Sequence, residues 1–136
     1  VGFSHDGSKL ALTDLSAHFV TIYNTSDWAK ITNPAVVPAS GGNSVAFSPD
    51  GSKLAVAHTT TPFVTIYNTS DWSKITNPSV LPASAGNGVS FSPDGSKLAV
   101  AHATTPFVTI YNTSDWSKIT NPAVLPASTA YRVAFG

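Results

Sequence analysis

Val45-Ala46-Phe47-Ser48-Pro49-Asp50-Gly51-Ser52-Lys53-Leu54-Ala55-Val56-Ala57 reads as one short extended segment, a reversal and a second extended segment. Proline presets a turn angle, aspartate bonds to nearby amides, and glycine accepts a positive φ, so the chain doubles back as a β-hairpin. Phe63-Val64-Thr65-Ile66-Tyr67 follows as a third extended segment, rich in branched and aromatic residues that favour strands. Asn68-Thr69-Ser70-Asp71 reads as another reversal. Trp72-Ser73-Lys74-Ile75-Thr76 is then expected to be an outer fourth strand, with Trp72 and Ile75 as its apolar contacts. The next eight residues carry Pro78 and Pro82 and fit a connection better than a central strand. Val80 and Leu81 are expected to tuck over the sheet edge there.

The same unit of 44 residues occurs three times, and four residues of a fourth copy follow. Phe3, Phe47, Phe91 and Phe135 mark the period, as do Trp28, Trp72 and Trp116. The units are 1–44, 45–88 and 89–132, with 133–136 as a supernumerary strand segment. Residues 45–88 and 89–132 agree almost letter for letter, polar turn residues included, which points to recent duplication or deliberate assembly of copies. Such a period predicts stacked or circularly arranged units rather than one mixed core.

Composition narrows the chemistry. The chain has no cysteine, so neither disulfides nor thiolate metal sites hold it together. Seven basic residues balance seven aspartates, and the lysines are scattered singly. Neither a nucleic-acid backbone nor an anionic membrane finds an electrostatic footprint in that pattern. No apolar run approaches the length of a membrane span, and no charged n-region precedes an apolar stretch. The start at Val1, inside a repeat, suggests an excised or processed segment, and the sequence gives no localisation.

The hairpin of residues 45–57 resembles the first two strands of a WD40-like propeller blade, and Val64-Thr65-Ile66-Tyr67-Asn68 sits where that family often ends its third strand in Trp-Asp. The resemblance spans all three units. Tyr23-Asn24, Tyr67-Asn68 and Tyr111-Asn112 replace the usual dipeptide, and no Gly-His pair precedes the first strand, so the architecture carries over better than the family's hydrogen-bond network. The resemblance implies an all-β, WD40-like β-propeller with three four-stranded blades per chain.

Propellers usually have about four to eight blades. Three would leave two apolar faces open, at a cost of roughly 25 cal/mol per Å². The count therefore predicts self-association, a homodimer closing a six-bladed ring in preference to a homotrimer of nine blades. Val1-Gly2-Phe3-Ser4 and Val133-Ala134-Phe135-Gly136 both hold the innermost-strand position, so one copy is displaced, frayed or exchanged between subunits. The expected subunit seam is Val1, Phe3, Tyr131, Arg132, Val133 and Phe135, with Tyr131 and Arg132 breaking the pattern of the earlier junctions.

Candidate chemistry is sparse. His58 and His102 are equivalent, with Asp14 at the matching place in the first unit, but no His-x-x-x-His, paired-cysteine or calcium-loop pattern gathers metal ligands, and neither a metal nor a cofactor is expected. Asp6, Asp50 and Asp94 lie in the repeated turn, where bonding to local amides explains them. No nucleophile elbow, phosphate loop or Ser-His-Asp arrangement is visible, and the chain reads as non-enzymatic. The leading functional expectation is a structural or protein-interaction scaffold. The alternative is a carbohydrate-binding propeller in which Trp28, Trp72 and Trp116 stack on sugars while Asn24, Asn68, Asn112, Asp27, Asp71 and Asp115 read hydroxyl groups.

Overall fold

The computed structural model describes residues 1–136. It contains nine strands: β1 (Gly2–Phe3), β2 (Lys9–Thr13), β3 (Val20–Asn24), β4 (Gly42–Phe47), β5 (Lys53–His58), β6 (Val64–Asn68), β7 (Gly86–Phe91), β8 (Lys97–His102) and β9 (Val108–Asn112). They form three antiparallel sheets, ordered β1-β2-β3, β4-β5-β6 and β7-β8-β9. Phe47 faces Leu54 and Val45 faces Val56 across the first hairpin of the second sheet, and Leu54 faces Tyr67 across the next.

The turn between β4 and β5 works as its residues dictate. The Ser48 hydroxyl donates to Asp50 at 2.5 Å, and the Ser52 amide donates to the same carboxylate oxygen at 3.0 Å. Gly51 sits at a φ of 72° with nothing near the place a Cβ would take, so the demand for glycine there is conformational alone.

Alternation along each strand builds two apolar faces. Leu54, Val56 and Tyr67 pack back against Ala11, Val20 and Ile22 of the preceding sheet. Ala55, Ala57, Val64 and Ile66 pack forward against Val89, Leu98, Val100 and Tyr111 of the following one. The two junctions reuse the same hydrogen bond: the Tyr67 hydroxyl donates to the Val36 carbonyl, and the Tyr111 hydroxyl to that of Val80, both at 2.7 Å. Inner strands are tied as well. A register irregularity between Gly42 and Ser44 frees Asn43 from the ladder, and its amide donates to the Gly86 carbonyl at 2.9 Å. Asn87 does the same toward Ala130 at 3.0 Å.

Three sequence expectations fail. The blades are three-stranded, not four-stranded: Trp72-Ser73-Lys74-Ile75-Thr76 contributes only the single bridge Tyr67↔Lys74 and the bond from the Ile75 amide to the Ile66 carbonyl. Trp72 stands in the left-handed region at a φ of 58°, and Pro78 follows shortly after Ile75, so the segment lacks the run of extended residues that a ladder needs. The sheets also do not curl into a ring. Each packs only on its neighbours in sequence, and the six-bladed ring expected from the blade count is not the architecture found. In the connections it is the prolines that are buried, at Pro34, Pro38, Pro78 and Pro82, while Val80 stays 49% exposed.

Candidate functional site

Inner strands β1, β4 and β7 stand side by side, and two open clefts run across all three, one where the strands begin and one where they end. The first, of about 350 Å³, is lined by Asn43, Ser44, Asn87, Tyr131, Arg132 and Val133 together with Val1, Gly88 and Val89. Gly88 permits it: a Cβ there would lie 2.9 Å from the Tyr131 carbonyl oxygen and the Arg132 Cα, so the tail passes against β7 only because that position is bare. The second cleft, of about 310 Å³, is lined by Phe3, Phe47 and Phe91 with His5, Ser48, Pro49 and Pro93. Here the period becomes a surface, because three equivalent rings from three sheets converge on one opening.

Five of the six residues expected at a subunit seam line these clefts. Val1, Tyr131, Arg132 and Val133 line the first, and Phe3 lines the second. Phe135 is half-buried and lines neither. Val1-Gly2-Phe3 keeps its place in the first sheet, with Gly2 opposite Ala11 and Phe3 opposite Leu10, whereas residues 131–136 form no strand.

The tryptophan set lies elsewhere. Trp72 covers the junction between the first and second sheets, and Trp116 the junction between the second and third. Trp28 has no preceding sheet to cover and is 60% exposed. Their polar companions are engaged within their own turns. The Ser73 amide and hydroxyl donate to Asp71 at 2.9 and 2.7 Å, and the Asn68 amide donates to the Ser73 hydroxyl at 3.2 Å. Asp115 and Asn112 hold Ser117 in the same way. Asp27 receives the Ala29 amide at 2.9 Å. Asn24 lies at the end of β3, half-buried, opposite Lys9.

The titratable groups are shaped by the same local bonding. Hydrogen bonds from Ser48 and Ser52 hold the Asp50 carboxyl at about 2, and Asp6 and Asp94 are held at about 2 by their equivalent serines. His58 is buried with Nε2 2.9 Å from the Thr65 hydroxyl, and His102 stands 3.0 Å from that of Thr109. Burial pushes both imidazoles below their ordinary value, and the Thr60 and Thr104 backbone offsets this only in part, since neither Nδ1 reaches hydrogen-bonding geometry with a partner. Asp14 replaces the histidine in the first sheet and accepts from Thr21 at 3.0 Å, which makes the position a strand-to-strand clamp in all three units. No three His, Asp, Glu or Cys side chains come together in a group that would hold a metal ion.

Three repeated antiparallel sheets packed in series through repeated junctions are similar in fold to WD40-like propeller repeats. Solved structures with the same arrangement include hydrazine synthase of Kuenenia stuttgartiensis, at 21% identity and a TM-score of 0.82, over 96% of this chain and 36% of that one. U3-55K matches at 14% identity and a TM-score of 0.82, over 98% of this chain and 41% of that one. The WD40 repeats of RRP9 match at 14% and 0.82, over 98% and 40%. The chain therefore spans less than half the length of these structures, and at such identities the likeness is one of fold. No protein-family model and no curated protein matches the sequence.

Proposed function

We propose that the chain is a non-catalytic interaction scaffold that takes an apolar, extended segment of a protein partner in the cleft of Phe3, Phe47 and Phe91. The observation that carries this reading is the convergence of three equivalent phenylalanines, with Pro49 and Pro93, on one open cleft. Rings and prolines supply contact area with little conformational freedom to lose, the property that makes aromatic surfaces strong anchors. The fixed spacing of the sheets presents such positions together, so several weak contacts with one partner act at high effective concentration.

For the carbohydrate alternative, Asn68 and Asp71 already hold Ser73 within their own turn and keep only part of their hydrogen-bonding capacity for a hydroxyl group, whereas the phenylalanine cleft is open as it stands. The test is selection of displayed peptides on the immobilised chain, followed by anisotropy titration of those selected, at dilutions where light scattering gives a single chain. Phe3→Ser, at a ring already 60% exposed, should weaken binding about tenfold, or about 1.4 kcal/mol, without changing the melting temperature. Saturable binding indifferent to both Phe3→Ser and Phe47→Leu would overturn the assignment. Glycan binding lost on Trp72→Ala in a chain that still folds would carry the carbohydrate reading instead.

A further inference from the structure

The two ends of the sheet stack are complementary, and what each lacks the other holds. In the first sheet Leu10, Leu12 and Tyr23 are only half-buried, whereas their equivalents Leu54, Val56 and Tyr67 are fully buried. In the third sheet Val108 and Ile110 are half-buried, whereas Val64 and Ile66 are covered. Tyr23 has no counterpart to the Val36 carbonyl that receives Tyr67, and Val124, the next residue in the series Val36, Val80, is 86% exposed with no tyrosine on its carbonyl. Pro122 and Pro126 lie exposed where the four earlier prolines of that series are buried.

Strand pairing shows the same complement. β1 pairs β2 at two positions only, Gly2 with Ala11 and Phe3 with Leu10, so the inner edge of β2 carries no ladder at Leu12 and Thr13. Its equivalent β4 makes five pairs, from Gly42 opposite His58 to Phe47 opposite Leu54. Tyr131-Arg132-Val133-Ala134-Phe135, with Ala130 before it, is a full-length copy of that inner strand. It is tethered by Asn87 where a next inner strand belongs, yet has no ladder of its own.

The geometry points to a head-to-tail contact between two copies of this chain, in which residues 130–135 of one replace β1 of the other on the inner edge of β2. The register follows from β4 and β5: Val133 opposite Leu12, Ala134 opposite Ala11 and Phe135 opposite Leu10. Five pairs replace two, the Tyr23 hydroxyl of one copy reaches the Val124 carbonyl of the other, and Phe135 arrives where Phe3 stands, so the aromatic cleft keeps its three rings. A second copy is the occupant because the contact continues, position by position, the junction already formed twice within the chain, with Tyr131 and Arg132 in the places of Asn43 and Ser44. Such a contact is heterologous, and the rotation at the junction sets how many copies join.

The chain lacks cysteine, so a single engineered pair reports the register. Leu12→Cys chains are mixed with Val133→Cys chains and oxidised. Facing residues of an antiparallel pair lie about 4.5 to 5.5 Å apart at Cα, within disulfide reach. The expected result is a covalent species of doubled mass, absent when Ala134→Cys, which points to the opposite face, replaces Val133→Cys. Light scattering on the unmodified chain should show the mass rising with concentration to two chains or more, while a chain ending at Thr129 stays at one. A single-chain mass at every concentration, equal crosslinking in both registers, or association unaffected by removal of residues 130–136 would overturn the proposal.

Discussion

Removing one hydroxyl group at each of three equivalent tyrosines separates the junction bond from everything else the side chain does. The Tyr67 ring is fully buried, its hydroxyl donates to Val36 at 2.7 Å, and the substitution Tyr67→Phe leaves ring packing in place. A net intramolecular hydrogen bond contributes about 1 kcal/mol. Val36 is 54% exposed, so water can reach the vacated carbonyl, which keeps the loss near that figure rather than at the higher cost of an orphaned buried group. With a urea slope of about 2 kcal/mol/M, the midpoint should fall by about 0.5 M in Tyr67→Phe, and by as much in Tyr111→Phe. Tyr23→Phe has no such bond to lose and should shift the midpoint by less than about 0.1 M in dilute chain, by the same arithmetic. The assay is urea unfolding followed by circular dichroism, with the slope required to stay constant across the set. Equal shifts in all three variants, or no shift at Tyr67, would refute the claim that the junction bond, and not the ring, distinguishes the positions.

Further outcomes follow from the same geometry. Asp6, Asp50 and Asp94 have folded-state values near 2 against an ordinary 3.8, so the stability they contribute is present above about pH 4 and lost as the pH falls toward 2. Acid titration of the melting temperature should show that loss, reduced in Asp50→Asn. His58 and His102 are held neutral by burial, so their contribution is complete above the ordinary value of 6.5 and declines as the pH drops below it. The melting temperature of His58→Asn should be less sensitive to pH between 7 and 5. Trp72→Ala should cost about 2 to 3 kcal/mol through loss of the ring that covers the junction, and Trp28→Ala less than about 1, as read by urea unfolding. Gly51→Ala should cost about 1 kcal/mol with no clash against any other part of the chain, because its φ of 72°, which crowds a Cβ against its own backbone, is the only obstacle. The equivalent change at Gly88, where a Cβ would strike the tail, should cost more.

Local chemistry was legible where short-range rules govern the backbone. The turn residues Ser48-Pro49-Asp50-Gly51 mark the hairpin, and the branched run before Asn68 marks β6, so the three observed strands of each sheet fall where the pattern puts them. The missing fourth strand was hidden because Trp72 and Ile75 look like strand residues, while the left-handed backbone at Trp72 is set by the loop it closes: the Asn68 amide bonds to the Ser73 carbonyl across it. Proline burial was equally invisible, since helix and strand rules treat Pro78 and Pro82 as breakers and say nothing of their burial. For the site, the period brings Phe3, Phe47 and Phe91 to equivalent places but does not say that they meet in one opening. That depends on how tightly β1, β4 and β7 approach, which the bare backbone at Gly2, where a Cβ would lie 3.1 Å from the Val45 carbonyl oxygen, helps to set. Asn43 and Asn87 gave no sequence signal either, because a ladder irregularity is a property of paired strands and not of one strand alone.

Asn43 and Asn87 have a consequence for how this architecture can be altered. Asn43 reaches from the inner strand of its own sheet to the first residue of the next inner strand, and Asn87 reaches the matching residue Ala130 of the tail, so the unit of inheritance is not the sheet but the stretch from one such asparagine to the following one. A duplication or deletion in frame with that stretch preserves every bond at the splice, wherever the cut falls, whereas one out of frame severs two neighbours at once. Lengthening by 44 residues is therefore a smaller structural event for this chain than the loss of one.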